Sequence, residues 1–215
     1  MITLKFLLPH YPLLLDSEER GLYFETRKAY KKVADDLLKE KVTAIVSIVS
    51  DDSVLTSPLL HIHNEFQADF SVFGDLVTKL TFSPWWNGFH TIRQNQTQPL
   101  LEPVETKKLP YQHALPLHLL TKSVPELKNI PVLAITLPAN SEHGLNELSK
   151  NLATIFNQVP ESIAIIGSGN LTKTKEKEAF KELSLINQDL RKQLLDQAEI
   201  KLNISKPEIF LSPTI

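Results

Sequence analysis

The sequence predicts a single α/β domain with a mostly parallel central sheet flanked by helices in three layers. Continuous apolar, β-branched runs at residues 2–8, 43–49 and 131–137 are typical of strands buried on both faces of a parallel sheet. Helical periodicity at residues 21–41 and 142–159 lies between such runs, so strands and helices alternate as in βαβ units. A chain of 215 residues suffices for one full-sized core, and residues 1–215 are therefore assigned to one domain.

The other elements follow from local patterns in chain order. After the strand at 2–8, the helix at 21–41 and the strand at 43–49, short strands are expected at 59–63, 77–82 and 100–104. Short helices are expected at 89–94 and 113–121, and a further strand at 162–166. A charged helix is predicted at 175–202, followed by an extended tail at 203–215 that contains two prolines.

Composition excludes several classes of function. A formal charge of −2 provides no general attraction to nucleic acid or to an anionic membrane, so neither partner is expected. The absence of cysteine excludes disulfides, zinc–thiolate sites, iron–sulfur clusters and thiol nucleophiles. No run approaches the roughly 20 apolar residues of a membrane helix, and the N-terminal stretch has no signal-cleavage pattern, so a cytoplasmic protein is expected.

Polar residues follow two of the predicted buried strands. His10 lies in a proline-stiffened loop after the first strand, and Asp51 and Asp52 follow the strand at 43–49. Ligands of α/β proteins bind beyond the carboxyl ends of parallel strands, where an imidazole and a carboxylate from adjacent strands could hold a divalent metal. The alternatives are a loop histidine that bonds backbone groups and an aspartate pair that caps a turn.

Three further histidines are candidates. His61 and His63 lie on one face of a predicted strand, an arrangement that can bind metal, although a half-exposed strand with two histidines is commoner. His113 lies at a predicted helix start, where the positive end of the helix dipole favours a neutral ring suited to accept a proton. Its alternative is a bond to a loop carbonyl.

Two shorter signals are weaker. The turn at 167–170 resembles a phosphate-binding turn but lacks the third glycine of a dinucleotide fingerprint. Trp85 and Trp86 are interpreted as a hydrophobic lid or an interface patch.

Five segments in order resemble one family across most of the chain. They read LPHYPLL at 8–14, IVSIVSD at 45–51, ADFSVFGD at 68–75, HALPL at 113–117 and IIGSGNLT at 165–172. This succession resembles the subunit-B (LigB-like) superfamily of class III extradiol ring-cleavage dioxygenases, which includes the Memo-like proteins. The resemblance implies a LigB-like fold, a catecholic substrate and Fe(II) bound by two histidines and a carboxylate.

The resemblance also implies roles for individual residues. His10 matches the first histidine ligand, and Asp51 falls where the family has the second. His113 matches an acid–base histidine, whereas Lys173 falls where a C-terminal turn has its histidine and Asn170 replaces the aspartate of that turn. The family's carboxylate ligand lies late in the chain, where Glu208 is the available candidate.

These departures leave two main hypotheses. One is an oxidoreductase with an altered metal site at His10, Asp51 and Glu208, with Mg²⁺, Mn²⁺ or Ca²⁺ favoured over Fe(II), a small aromatic substrate and His113 as acid–base. The other is a scaffold without the chemistry or a metal, in which Lys173 pairs with Asp51 and the protein acts as a binding or partner subunit. A metal-dependent hydrolase that uses Asp51, Asp52 and the two strand histidines ranks below both. A homodimer is expected only from the family resemblance.

Overall fold

The computed structural model describes residues 1–10, 12–15, 24–51, 55–95, 101–138 and 145–168. The predicted helix at 175–202 and the tail at 203–215 lie outside these residues, as do Asp52, Asn170, Lys173 and Glu208.

The regular elements alternate along the chain much as the patterns predict. The strands are β1 Ile2–Leu8, β2 Ala44–Asp51, β3 Leu59–Ile62, β4 Phe66–Phe70, β5 Asp75–Phe82, β6 Glu102–Glu105, β7 Val132–Pro138 and β8 Ile163–Ser168. The helices are α1 Phe24–Lys39, α2 Trp86–Asn95, α3 Tyr111–Ser123 and α4 Leu145–Gln158. The strand predicted at 43–49 continues to Asp51, and the one predicted at 162–166 continues to Ser168.

The main sheet has six strands in the order β1-β8-β2-β7-β3-β6. The first four are parallel to one another, whereas β3 runs antiparallel to β7 and is parallel to the edge strand β6. The described residues of β8 are all buried, as the continuous apolar run predicts. The mostly parallel α/β architecture predicted from the sequence is confirmed.

Helices cover both faces of this sheet and create two apolar cores. On one face, α1 and α3 pack over side chains such as Ile45, Ala134 and Ile166. On the other face, α2 and α4 pack over Val46, Ile135 and Ile165. Because successive strand residues point to opposite faces, this alternation assigns each polar strand residue to one of the two cores.

β4 and β5 form a separate two-stranded hairpin. The segment between them contains a 3₁₀ turn at Ser71–Phe73 and Gly74, whose φ of 86° is a conformation that glycine adopts without strain. The hairpin exposes Val72, Leu76 and Val77.

The two adjacent tryptophans have different environments. Trp85 is buried and packs near Phe156 of α4, with ring centroids 6.0 Å apart, so it belongs to the core beneath α2 and α4. Trp86 is exposed on α2 and contacts Phe89 and His90. The interpretation of the pair as a lid or interface patch is therefore wrong for Trp85, because consecutive residues at the start of a helix point in different directions.

Candidate functional site

The candidate site lies at the carboxyl edge of the parallel strands. In the sheet register, Ser168 at the end of β8 lies beside Leu8 of β1 and Val49 of β2. His10 follows β1 by two residues, and Asp51 is the last residue of β2. The fold therefore brings the backbone positions of His10 and Asp51 to the same edge, on either side of β8.

His10 is held at this edge by a buried hydrogen bond. Its Nδ1 lies 2.7 Å from the Ser168 hydroxyl, and its ring meets the edge of the Tyr111 ring at a centroid distance of 5.7 Å. The Tyr30 hydroxyl donates to the carbonyl of Pro9 and so fixes the start of the loop. Burial lowers the pKa of His10 to about 4, so the ring is neutral at pH 7.

His113 lies in the first turn of α3, as predicted, but its ring points into the core. It is fully buried, with Nδ1 2.8 Å from the Ser47 hydroxyl and Nε2 3.1 Å from the Thr136 hydroxyl. Both ring nitrogens are therefore bonded to side chains of the sheet rather than to a loop carbonyl. Burial lowers the pKa of His113 well below 6.5, and the nearby imidazoles of His61 and His10 lower it further.

His61 forms the second half of this buried cluster. Its Nε2 lies 2.7 Å from the Thr136 hydroxyl, its Nδ1 lies 2.9 Å from the Thr106 hydroxyl, and its ring centroid is 5.3 Å from that of His113. Burial lowers the pKa of His61 to about 4. The expectation of a half-exposed strand is wrong at this position, because β3 pairs with both β6 and β7, and the buried His61 ring contacts His113 of α3.

His63 does not join His61. It follows the end of β3, and its Nδ1 donates a hydrogen bond to the backbone carbonyl of Glu65 at 2.7 Å. The two histidines thus have separate partners, and the hydrolase hypothesis, which uses both at one metal, gains no support from their placement.

The cluster contains residues that the sequence reasoning did not identify. Ser47 is a buried polar residue between apolar neighbours in β2, Thr136 is one in the otherwise apolar β7, and each points to the face covered by α3. A buried hydroxyl needs a hydrogen-bond partner, so a lone Ser or Thr in such a strand is a signal that a polar side chain lies opposite. That signal does not say which side chain it is.

Comparison with known families identifies the superfamily. The family described as "Catalytic LigB subunit of aromatic ring-opening dioxygenase" matches residues 4–201. This chain belongs to the LigB family. The LigB-like fold and family membership expected from the five motif segments are both confirmed.

A solved structure similar to this LigB-family protein is the crystal structure of uncharacterized protein JW3007 from Escherichia coli K12. The TM-score is 0.54 at 12% sequence identity, and the match covers 98% of this chain and 82% of the other. At this identity the likeness shows the fold alone. No curated protein matches the chain. Within the described residues, no helix is long and apolar enough to cross a membrane.

Among the described residues of this LigB-family protein, the side chains that could bind a metal differ from the iron site that the family resemblance implies. That site needs two histidines and a carboxylate, yet no three His, Asp or Glu residues in the described ranges are grouped to hold a metal. The ring nitrogens of His61 and His113 are bonded to hydroxyls, whereas His10 Nε2 has no partner among the described residues. The described residues therefore do not fit a two-histidine iron site.

Asp52, Asn170, Lys173 and Glu208 lie outside the described residues, and only the backbone of Asp51 is described. Of the set, the structure describes the side chains of His10, bonded to Ser168, and of His113, bonded to Ser47 and Thr136. The assignment of roles to these residues stays a prediction.

Proposed function

We propose that this LigB-family protein is a binding subunit that recognises a small aromatic molecule at the carboxyl edge of the sheet without opening its ring. The observation that carries the proposal is the environment of His113. An acid–base residue must lie within hydrogen-bond reach of the group whose proton it exchanges. Both nitrogens of this buried ring are already bonded to Ser47 and Thr136, so exchange with a ligand would require one of these bonds to break.

The second support is the residue type at position 173. By resemblance, Lys173 stands where the family's C-terminal turn has a histidine. An unperturbed ammonium has a pKa near 10.4, so at pH 7 it is a poor proton acceptor. Chemistry that depends on a neutral imidazole at this position would therefore be lost.

The surroundings of His10 support recognition of an aromatic ligand. The neutral ring can hydrogen-bond a phenolic hydroxyl through Nε2 while Nδ1 stays bonded to Ser168. The Tyr111 ring contacts the His10 ring. The ring centroid of Phe73 lies 5.0 Å from that of Tyr111, in an edge-to-face arrangement. Aromatic side chains beside one polar group are typical of sites for small aromatic ligands.

One observation favours a second candidate, an enzyme with an altered metal site. His10 is neutral, as a metal ligand must be, and it shares its sheet edge with Asp51. An imidazole with carboxylates from Asp51 and Glu208 would shift metal preference towards Mg²⁺ or Mn²⁺. His113 would then need to release one of its present hydrogen bonds to act in proton transfer.

The two candidates differ in metal-dependent turnover. The purified protein is loaded anaerobically with Fe(II) or Mn(II), its metal content is measured, and catechol is added to follow ring opening by absorbance. In parallel, catechol binding is measured by calorimetry for the wild type, His10→Asn and the matched control His90→Asn, which changes an exposed histidine on α2. We expect catechol binding that weakens about tenfold, or roughly 1.4 kcal/mol, in His10→Asn only, with no ring opening. Metal-dependent ring opening that His10→Asn abolishes would instead establish the enzyme.

A further inference from the structure

Two buried histidines share one hydroxyl. The Thr136 Oγ1 lies 2.7 Å from His61 Nε2 and 3.1 Å from His113 Nε2. The Nδ1 atoms of the two rings contact further hydroxyls. His113 Nδ1 contacts the hydroxyl of Ser47, and His61 Nδ1 contacts that of Thr106. The five side chains therefore form one continuous hydrogen-bonded chain from β2 through α3, β7 and β3 to the segment after β6.

The number of hydrogens limits how this chain can be arranged. A neutral imidazole has one N–H and one lone-pair nitrogen, and a hydroxyl has one hydrogen to donate. Burial lowers the pKa of both histidines below 6.5, so both rings are neutral at pH 7. Thr136 has one hydrogen and can donate to only one ring. If both rings donated to Thr136, its own hydrogen would have no acceptor among the described residues, so one ring donates to Thr136 and the other accepts from it. Consequently all five groups point in one direction along the chain, or all point in the other.

The groups at the two ends of the hydrogen-bonded chain, Ser47 and Thr106, favour the same direction of donation. The Thr106 hydroxyl also lies 3.4 Å from the backbone carbonyl of Val104, which can only accept. If Thr106 donates there, then His61 Nδ1 carries the hydrogen and donates to Thr106. At the other end Ser47 is buried, and within the described residues its hydroxyl has His113 Nδ1 as its partner.

The opposite direction leaves a buried hydrogen unpaired. If His113 Nδ1 donated to Ser47, the Ser47 hydroxyl hydrogen would have no acceptor among the described residues, and the bond to Val104 would be lost as well. A buried donor without an acceptor costs on the order of 1–3 kcal/mol. The direction from Ser47 towards Val104 satisfies every group in the chain.

We propose that His61 is a positioning residue for His113. Through Thr136, His61 holds His113 in the tautomer with the hydrogen on Nε2 and the lone pair on Nδ1, where the lone pair faces Ser47. His61 itself carries its hydrogen on Nδ1. The assignment goes beyond the proposed function, because either direction of the chain keeps both nitrogens of His113 bonded. Failure of the tautomer assignment would therefore leave the binding proposal standing.

The tautomers can be read directly from the full-length protein. Two-dimensional ¹⁵N–¹H spectra of the histidine side chains at pH 7 distinguish a ring that carries hydrogen on Nδ1 from one that carries it on Nε2. We expect a single Nε2–H form for His113 and a single Nδ1–H form for His61. A His113 ring with hydrogen on Nδ1, or an average of the two forms, would overturn the assignment.

A remote variant tests whether His61 transmits the constraint. Thr106→Val removes the hydroxyl beyond His61 and does not touch His113, yet it should change the His113 spectrum towards a mixture of tautomers. Thr106→Ser keeps the hydroxyl and should restore the wild-type spectrum. The matched control is Thr121→Val on α3, whose hydroxyl bonds the His118 carbonyl and which should leave both rings unchanged. If Thr106→Val folds and alters His61 alone, His61 does not position His113. If it does not fold, the wild-type tautomers alone decide the assignment.

Discussion

His10 and Ser168 are joined by a 2.7 Å hydrogen bond although they lie 158 positions apart in the chain. The bond is possible because β1 and β8 are parallel neighbours whose carboxyl ends lie side by side. It connects the first loop of the candidate site to the last described strand, and it occupies Nδ1 of a buried neutral ring. The geometry of the site edge therefore depends on this pair.

Ser168→Ala should destabilise the protein. The substitution leaves His10 Nδ1 buried without its partner, which costs about 1–3 kcal/mol of unfolding free energy, measurable by urea denaturation. The matched control is Ser83→Ala at an exposed serine between β5 and α2, expected to change stability by less than about 0.5 kcal/mol. Equal effects of the two substitutions would contradict the structural role of the His10–Ser168 bond.

Thr136→Val should cost more than Ser168→Ala. Valine has the shape of threonine but no hydroxyl, so Nε2 of both His61 and His113 would lose its partner in the core. We expect a loss of roughly 2–6 kcal/mol, because each of the two unsatisfied groups costs about 1–3 kcal/mol. Thermal and urea unfolding provide the measurement, and Thr136→Ser, which retains the hydroxyl, should recover most of the loss. No difference between the valine and serine variants would show that the shared hydroxyl contributes little.

The two tryptophans offer a matched pair. Trp85 is 4% exposed and packs in the core beneath α2 and α4, whereas Trp86 is 40% exposed. Trp85→Ala should cost about 3–5 kcal/mol of stability by creating a cavity. Trp86→Ala should cost far less, within about 1 kcal/mol. A larger loss of stability in Trp86→Ala than in Trp85→Ala would contradict the core position of Trp85.

Stability should fall as the pH drops from about 6.5 towards 4. The folded pKa values of His10 and His61 are both lowered to about 4, whereas unfolded histidine has a pKa near 6.5. Well above pH 6.5 these two rings are neutral in both states, so they cause no loss of stability. Between these values the unfolded state alone binds protons, and each histidine removes at most about 1.4 kcal/mol per pH unit. Below pH 4 the folded forms of His10 and His61 are protonated too, and the loss that these two rings contribute levels off.

Urea unfolding at pH 7, 6, 5 and 4.5 measures this loss. In His61→Asn the slope of the unfolding free energy against pH should decrease by up to the contribution of one proton, because one histidine with a lowered pKa is absent. A wild-type stability that is constant from pH 7 to pH 4.5 would contradict the neutral buried state of these histidines.

Histidines introduced at positions 51 and 173 should increase the affinity of the protein for Fe(II). By resemblance, Asp51 and Lys173 stand where the family has a metal-ligating histidine and the histidine of its C-terminal turn. We expect Asp51→His/Lys173→His to bind Fe(II) at least tenfold more tightly than the wild type, because a second imidazole ligand is added and a cation is removed. Competition with a colorimetric chelator measures the affinity, and Asp51→Asn/Lys173→Gln serves as the control. If both double variants bind iron like the wild type, these positions do not face a metal site.

Sequence alone determined the α/β class, most of the strands and the position of His113 at a helix start. These features depend on local periodicity and on runs of β-branched residues, which are readable without knowing the partners of each element. The order of motif segments also indicated the LigB family, which the comparison confirmed. The same reasoning placed Trp85 at the surface and left His61 half-exposed, because burial depends on neighbours that are distant in sequence.

Only the tertiary structure decided which polar groups meet. Ser47, His61, His113 and Thr136 come from four different elements, and their contact requires the strand order β2-β7-β3 with α3 packed above it. A hydrogen bond requires heavy atoms within about 3 Å in a suitable direction, and spacing along the chain does not encode that geometry. Residue type indicated that His113 could accept a proton, whereas packing decided that its two nitrogens are occupied.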